Sequence, residues 1–412
     1  MNRPSLSALF DGIDRPLLAA ALLLAVTGII MIFSATHSSE HLASQYAMQT
    51  AWLGVGLAAL YLAAILPPRV LQGIAIPAYA VALLLLIVVL ATGVVKGSSR
   101  WIRLGPIGFQ PSELAKIAVI LVLAQFLERN RRNLSKPRVL LTAFAIIAAP
   151  MLLILKQPDL GTSLVFGAIL CGMLFWAGLS LIELCLIVSP VVAILISIMS
   201  DFNWIVWACF IAVLFGTLYL VRPPRWMIVS LFVIHIGVGV SAEPLWNSLH
   251  DYQRQRVVTF LDPEADALGA GYQVIQSQIA IGSGGLWGQG LLEGSQTQHS
   301  FLPEQHTDFI FAVVGEELGF IGALTLLGLY FLLVMRGIKV AAGAKSRYHA
   351  LIAGGCVSAL CFHIVMNIGM TLGLLPVAGV PLPFLSYGGS FLLTSMILCG
   401  LLLNMWRRRF EY

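Results

Sequence analysis

Charge is what this sequence has least of: Asp, Glu, Lys and Arg together make up 10% of its 412 residues. Water-soluble domains carry about 25%, so a soluble globular chain is excluded. Cysteine chemistry is missing too. The six cysteines (Cys171, Cys185, Cys209, Cys356, Cys361 and Cys399) fall singly inside apolar runs with no CxxC pair. Neither disulfides nor a metal cluster is expected, and no metal ligand is assigned. There is no Ser–His–Asp order, Walker loop, HExxH pattern or EF-hand loop. The apolar–polar alternation of barrel strands is absent, as are internal repeats and low-complexity tracts.

What the chain does have is hydrophobic residues, 59% of the total, in runs near twenty residues long. Such runs cross a hydrocarbon core of about 30 Å as helices, because backbone amides in lipid must bond internally. Twelve spans are predicted, at 16–35, 49–66, 71–95, 112–127, 138–155, 161–178, 180–198, 202–221, 226–242, 309–335, 349–374 and 384–405. The first has no small-residue cleavage site after it, as expected of a retained span. With the N-terminus cytoplasmic, seventeen of the 24 Lys and Arg fall inside and six outside, so the positive-inside rule places both termini in the cytoplasm. The fold expected is an all-α polytopic membrane protein, one integral membrane domain over 1–412, with a large extracytoplasmic loop at 243–308. An amphipathic helix near Tyr272 to Ile281 is expected within that loop.

The six outer cations, Lys96, Arg100, Arg103, Lys156, Arg254 and Arg256, break the charge trend. They suit an anionic ligand such as a diphosphate, or anchor loops to lipid headgroups. Ionisable residues within spans are expensive and usually functional. Glu113 and Lys116 share a helix face as an ion pair or as part of a cavity. Asp159 reads as a helix N-cap, which is compatible with a site role. Asp308, at the join between the polar loop and the tenth span, reads as a helix cap or as a catalytic base. A helix start would stabilise its charge and weaken a base; a partly dry cavity would do the reverse. Glu316 and Glu317 lie deeper in the same run, at least one of them structural. The glycine clusters 282–290 and 386–390 offer backbone amides to phosphate oxygens. Asn367 lines the interior or bridges helices.

Longer motifs narrow the choice. LHDYQRQRVVTFLDPEADALGAGYQVIQSQIAIGSGGLWGQG followed by FLPEQHTDFIFAVVGEELG closely resembles the shape, elongation, division and sporulation (SEDS) family. FDGIDRPLL, RWIRLGPIGFQPSELAK, QPDLGT and GLLPVAGVPLPFLSYGGS extend the resemblance, in order, over most of the chain and favour its rod-shape branch. The resemblance implies a peptidoglycan glycosyltransferase of the bacterial cytoplasmic (inner) membrane, its active site facing outward. Such an enzyme polymerises lipid II for cell elongation, beside a class B penicillin-binding protein that crosslinks the strands. The family's essential aspartate, in its HTDF motif, corresponds to Asp308, and its buried cavity positions to Glu113, Lys116 and Asp159. With Arg100, Arg103, His306, Asn367, Ser386 and Tyr387, these are the substrate-binding candidates. Two departures stand out. The family usually has ten spans, so an extra hairpin is expected at about 180–242, and Ala267 replaces a frequent proline.

The mechanism these residues suggest is a single inverting displacement. Asp308 takes the proton from the acceptor's 4-hydroxyl, which attacks the donor's anomeric carbon and releases undecaprenyl diphosphate. Arg100, Arg103 and Lys116 are candidates to neutralise that diphosphate. No cofactor is obligatory, and a divalent cation, magnesium or manganese, is an optional helper. The competing functions are a lipid II flippase, for which intramembrane charges are equally expected, and a scaffold for the transpeptidase.

Overall fold

The computed structural model describes residues 12–38, 42, 44–92, 100–104, 107–134, 136–200, 202–221, 225–248, 254, 259–260, 266, 269, 271–299 and 301–410. Much of the expected loop, including Arg256 and the Ala267 departure, lies outside them, as does Lys96.

Every predicted span is a helix. In chain order they are α1 (Arg15–Thr36), α2 (Gln45–Ile65), α3 (Pro68–Thr92), α4 (Pro111–Arg129), α5 (Pro137–Leu155) and α6 (Leu160–Ala177). Then follow α7 (Leu181–Met199), α8 (Trp204–Val221) and α9 (Arg225–Ser248). Two shorter helices, α10 (Tyr272–Ser283) and α11 (Ser295–Gln298), precede α12 (Ile310–Gly343), α13 (Arg347–Thr371) and α14 (Gly389–Arg407). Among the described residues, ten helices are long and apolar enough to cross a membrane. α4 stands apart because Glu113, Lys116 and Glu128 interrupt its apolar sequence. The amphipathic helix expected near Tyr272 is α10.

Among the described residues, the one departure from helix is a small antiparallel hairpin, β1 (Ile102–Leu104) with β2 (Ile107–Phe109). Ile102 pairs with Phe109 and Leu104 with Ile107. The Ser390 hydroxyl donates to the Gly108 carbonyl at 3.0 Å and so ties the hairpin to the first turn of α14.

α13 and α14 form the buried centre, with 78% of their span windows enclosed by protein. α14 packs along α2, and α13 against α12, α6 and α4. With no hydrophobic force between helices in lipid, close packing of small residues holds them. At Gly400 a β-carbon would overlap the Leu60 carbonyl of α2, so only glycine permits that approach. α7, α8 and α9 stand to one side with their own small core of Leu186, Leu214, Leu218, Met227 and Leu231. They meet the main body through α6 and α7.

Helix directions define two ends of the bundle. The last turn of α1, the starts of α2, α4 and α14, and the end of α13 gather at the end that holds Asp308. The opposite end gathers Arg15, Arg69, Arg129, Arg347 and Arg407 at helix termini. There Arg336 grips Asp14, the N-cap of α1, through both carboxylate oxygens.

Candidate active site

α13 ends at Thr371, and the Gly- and Pro-rich stretch 372–388 crosses the mouth of the bundle before α14 begins. That crossing is the hub on which the candidate residues converge. Asp308 lies in a tight turn whose amides at Thr307, Asp308 and Phe309 all donate to the Glu304 carbonyl, at 3.1 to 3.3 Å. α12 takes Phe309, not Asp308, as its N-cap, and uses no side-chain cap. Asp308 therefore sits ahead of the helix, half-buried.

Four candidates lock that turn to the crossing. The Asn367 amide donates to the Asp308 carbonyl and to the Val380 carbonyl, both at 2.8 Å. The Ser386 hydroxyl donates to the Thr307 carbonyl at 2.6 Å and accepts from the Leu382 amide at 2.8 Å. The Tyr387 amide donates to the His306 carbonyl at 2.9 Å, and the two rings lie 5.8 Å apart. Gly379, at φ +65°, faces the carboxylate itself: a β-carbon there would be 3.4 Å from Asp308 Oδ2. A turn held at so many backbone atoms keeps Asp308 in a fixed place.

Asp159 takes the N-cap role expected of it. It caps α6, accepting from the Thr162 amide at 3.1 Å and its hydroxyl at 3.0 Å. Arg100 Nη1 stands 3.7 Å from the same carboxylate, while its Nε donates to the Gln157 carbonyl at 3.1 Å. Two residues on, Gly161 lies so tightly under the Ala378 carbonyl that no β-carbon fits. The Arg100–Asp159 pair thus borders the crossing to which the Asp308 turn is tied. Arg103 has its backbone in β1; its side chain lies outside the described residues.

Glu113 and Lys116 meet as an ion pair, 1% and 4% being the exposures of the lysine and the glutamate. Lys116 Nζ is 2.9 Å from each Glu113 oxygen and 3.1 Å from His363 Nε2. His363 Nδ1 is 3.2 Å from the Pro381 carbonyl. In this geometry the Lys116 charge is enclosed by protein and supports the crossing from beneath. His363, deep in α13, escaped the sequence reading, although an ionisable residue within a span is itself the signal. Gln49 was missed too; it accepts from the Gly388 amide and donates to the Ser386 carbonyl, both at 3.1 Å.

In both glycine clusters the protein itself takes up backbone amides. The Gln289 and Gly290 amides donate to the Glu316 and Glu317 carbonyls, at 3.0 and 3.1 Å. Gly284 and Gly288 pack directly on that backbone, where α12 breaks at Gly319. In the second cluster, the Ser386, Tyr387 and Gly388 amides are all engaged by protein acceptors. Both buried acids of α12 are structural. Glu316 accepts from the Gln296 and Thr297 amides at 2.7 and 3.0 Å, holding α11. Glu317 accepts from the Ser34 hydroxyl of α1 at 2.6 Å.

Burial pushes the His306 imidazole below its ordinary value of 6.5, and the Glu304 carboxylate opposes this. The fold favours the neutral ring, so the unfolded chain binds the proton first. Stability is then complete above about pH 6.5 and falls as the pH drops toward the lower folded value. The unfolding temperature is expected to drop more between about pH 7.5 and about pH 5.5 in the native protein than in His306→Gln. Parallel pH profiles would show that His306 does not titrate this way.

No group of three His, Cys, Asp or Glu side chains that could hold a metal ion occurs among the described residues.

Comparison with known proteins agrees with this architecture. The sequence model of the FtsW/RodA/SpoVE family, described as "Cell cycle protein", matches residues 15–208 and 190–410. Peptidoglycan glycosyltransferase MrdB of Escherichia coli K12 is 39% identical, over 99% of this chain and 98% of that protein. Peptidoglycan glycosyltransferase RodA of Treponema pallidum is 36% identical, over 96% and 98%. A chain from a solved peptidoglycan synthase complex that coordinates polymerization and crosslinking superimposes with a TM-score of 0.73 at 33% identity, over 97% and 99%. The rod shape determining protein RodA of Thermus thermophilus gives 0.61 at 28%, over 97% and 98%. With its family's sequence model matching nearly from end to end and its helices superimposing on those of solved relatives, the chain belongs to the FtsW/RodA/SpoVE, or SEDS, family of multi-pass membrane proteins.

Proposed function

We propose that this chain is the glycan polymerase of cell elongation, joining lipid II units into peptidoglycan strands with Asp308 as the base. The observation that carries the reading is the placement of Asp308: a half-buried carboxylate on a turn clamped by Asn367, Ser386 and Tyr387. Beside that turn lies an apolar cavity of about 290 Å³, lined by Ile281, Phe311, Phe320, Leu324 and Leu372. A polyprenyl chain needs such a surface, because its tail stays in the bilayer while its sugar reacts. The named activities of the MrdB and RodA relatives support the same reading.

Asp308 takes the proton of the acceptor's 4-hydroxyl as that oxygen bonds to the donor's anomeric carbon. The bond to diphosphate breaks with inversion, and the electron pair leaves on undecaprenyl diphosphate. Diphosphate is a good leaving group, so no second carboxylic acid is required of the kind glycosidases use. Arg100, beside Asp159 at the edge of the crossing, neutralises it, with Arg103 on the adjacent hairpin. A magnesium or manganese ion, were one to take part, would supply further charge neutralisation; no step here depends on it.

The basic residues at the end of the bundle remote from Asp308 support cytoplasmic termini and a reaction on the outer face of the inner membrane. The solved synthase complex, which coordinates polymerization and crosslinking, supports a crosslinking partner, a class B penicillin-binding protein. The separate core of α7–α9 and the overlap of the two family matches at 190–208 support an extra hairpin within 180–242. Purified protein with labelled lipid II tests the activity. Glycan ladders on a gel are expected. Lipid movement without ladders would make the protein a flippase, and neither would make it a scaffold.

A further inference from the structure

At the end of the bundle remote from Asp308 lies a second cavity, of about 460 Å³. Two helix N-termini open onto it. α13 starts beside Ser346, whose side chain makes no cap hydrogen bond, and no acid lies in its first turn. α3 starts at Pro68, again with no acid in its first turn. Uncapped helix starts present amide donors and partial positive charge. Arg69 and Arg408 add two guanidinium groups to the lining, against the single carboxylate of Glu128. That carboxylate also feels the charges of Arg129, Arg131 and Arg347, so the surroundings are net positive.

An independent observation points to a ligand. Tyr348 lines the same cavity, is 1% exposed, and its hydroxyl has no hydrogen-bond partner. A buried hydroxyl without an acceptor is costly, and nothing in the protein supplies one. The amides, the Arg69 guanidinium and the Tyr348 phenol that converge here are all donors to acceptor oxygens. A phosphate offers several at once and carries the matching charge.

We propose that this cavity is a binding site for an anionic phosphate group, remote from the reaction centre, with Tyr348 and Arg69 as direct donors. The phosphate comes either from an acidic lipid headgroup, since the cavity lies where helices leave the membrane, or from a soluble phosphate.

The test measures thermal unfolding of the purified full-length protein and of Tyr348→Phe and Arg69→Ala. One arm compares nanodiscs of phosphatidylglycerol with nanodiscs of phosphatidylcholine. The other titrates inorganic phosphate in detergent against chloride at matched ionic strength. A stabilisation by phosphatidylglycerol that both variants weaken supports the site with a lipid headgroup as its source. A stabilisation by inorganic phosphate that both weaken supports it with a soluble source. Each substitution removes a hydrogen bond to a charged ligand, so the apparent affinity is expected to fall about tenfold. Tyr348→Phe keeps the ring and removes only the unpartnered hydroxyl, so without ligand it unfolds at or above the native temperature. No ligand-dependent stabilisation in either arm, or one that both variants keep in full, would overturn the proposal.

Discussion

Asp308→Asn is expected to lower the rate of lipid II polymerisation by about 10²–10⁴-fold, the usual contribution of a positioned base. The substitution replaces one carboxylate oxygen with an amide nitrogen of nearly the same size. The contacts that position the turn use backbone atoms: the Asp308 carbonyl to Asn367, the Thr307 carbonyl to Ser386, the His306 carbonyl to Tyr387. None of them changes, so the turn and its approach to Gly379 persist. The variant should fold, unfold at close to the native temperature and still bind substrate. Initial rates of glycan synthesis by purified native and variant protein measure the effect. A variant that makes ladders at the native rate would remove Asp308 from the chemistry. A variant that loses activity only because it unfolds would leave the base unassigned, which is why both quantities are measured together.

The sequence announced this acid but not what holds it. The helices are legible because apolar runs of about twenty residues have one stable form in lipid. Asp159 is legible because a cap is a local device, completed three residues away at Thr162. The crossing at 372–388 is different. Its partners are Thr307, Gly161, Gln49 and His363, on four separate segments. Nothing local in a Gly- and Pro-rich stretch names them. The glycine clusters were illegible for a related reason. A run of glycines signals close approach by some other backbone, and composition does not say whether the visitor is a phosphate or a neighbouring turn. Here it is the broken helix α12 at Gly319. Lys116 shows the same limit. Three residues of spacing put it beside Glu113, but its enclosure by His363 and the Phe391 ring, 5.3 Å away, is set by distant segments.

That enclosure leads to the second large effect. Lys116→Met is expected to destabilise the protein by about 3–5 kcal/mol, because it leaves the Glu113 carboxylate buried without its counter-charge. Methionine fills a similar volume, so packing loss contributes little. Adding Glu113→Gln removes the stranded charge, and the double variant should regain most of the lost stability, since an apolar or neutral replacement of a buried pair is often tolerated. Unfolding temperatures of the two single variants and the double variant provide the cycle. Rates of glycan synthesis then separate two roles. If the pair only supports the crossing through His363 and the Pro381 carbonyl, the double variant regains activity along with stability. If Lys116 also contacts the departing diphosphate, stability returns and activity does not. A Lys116→Met protein as stable as the native one would show that Glu113 finds another counter-charge, and the buried pair would no longer account for the position of the crossing beneath which it lies.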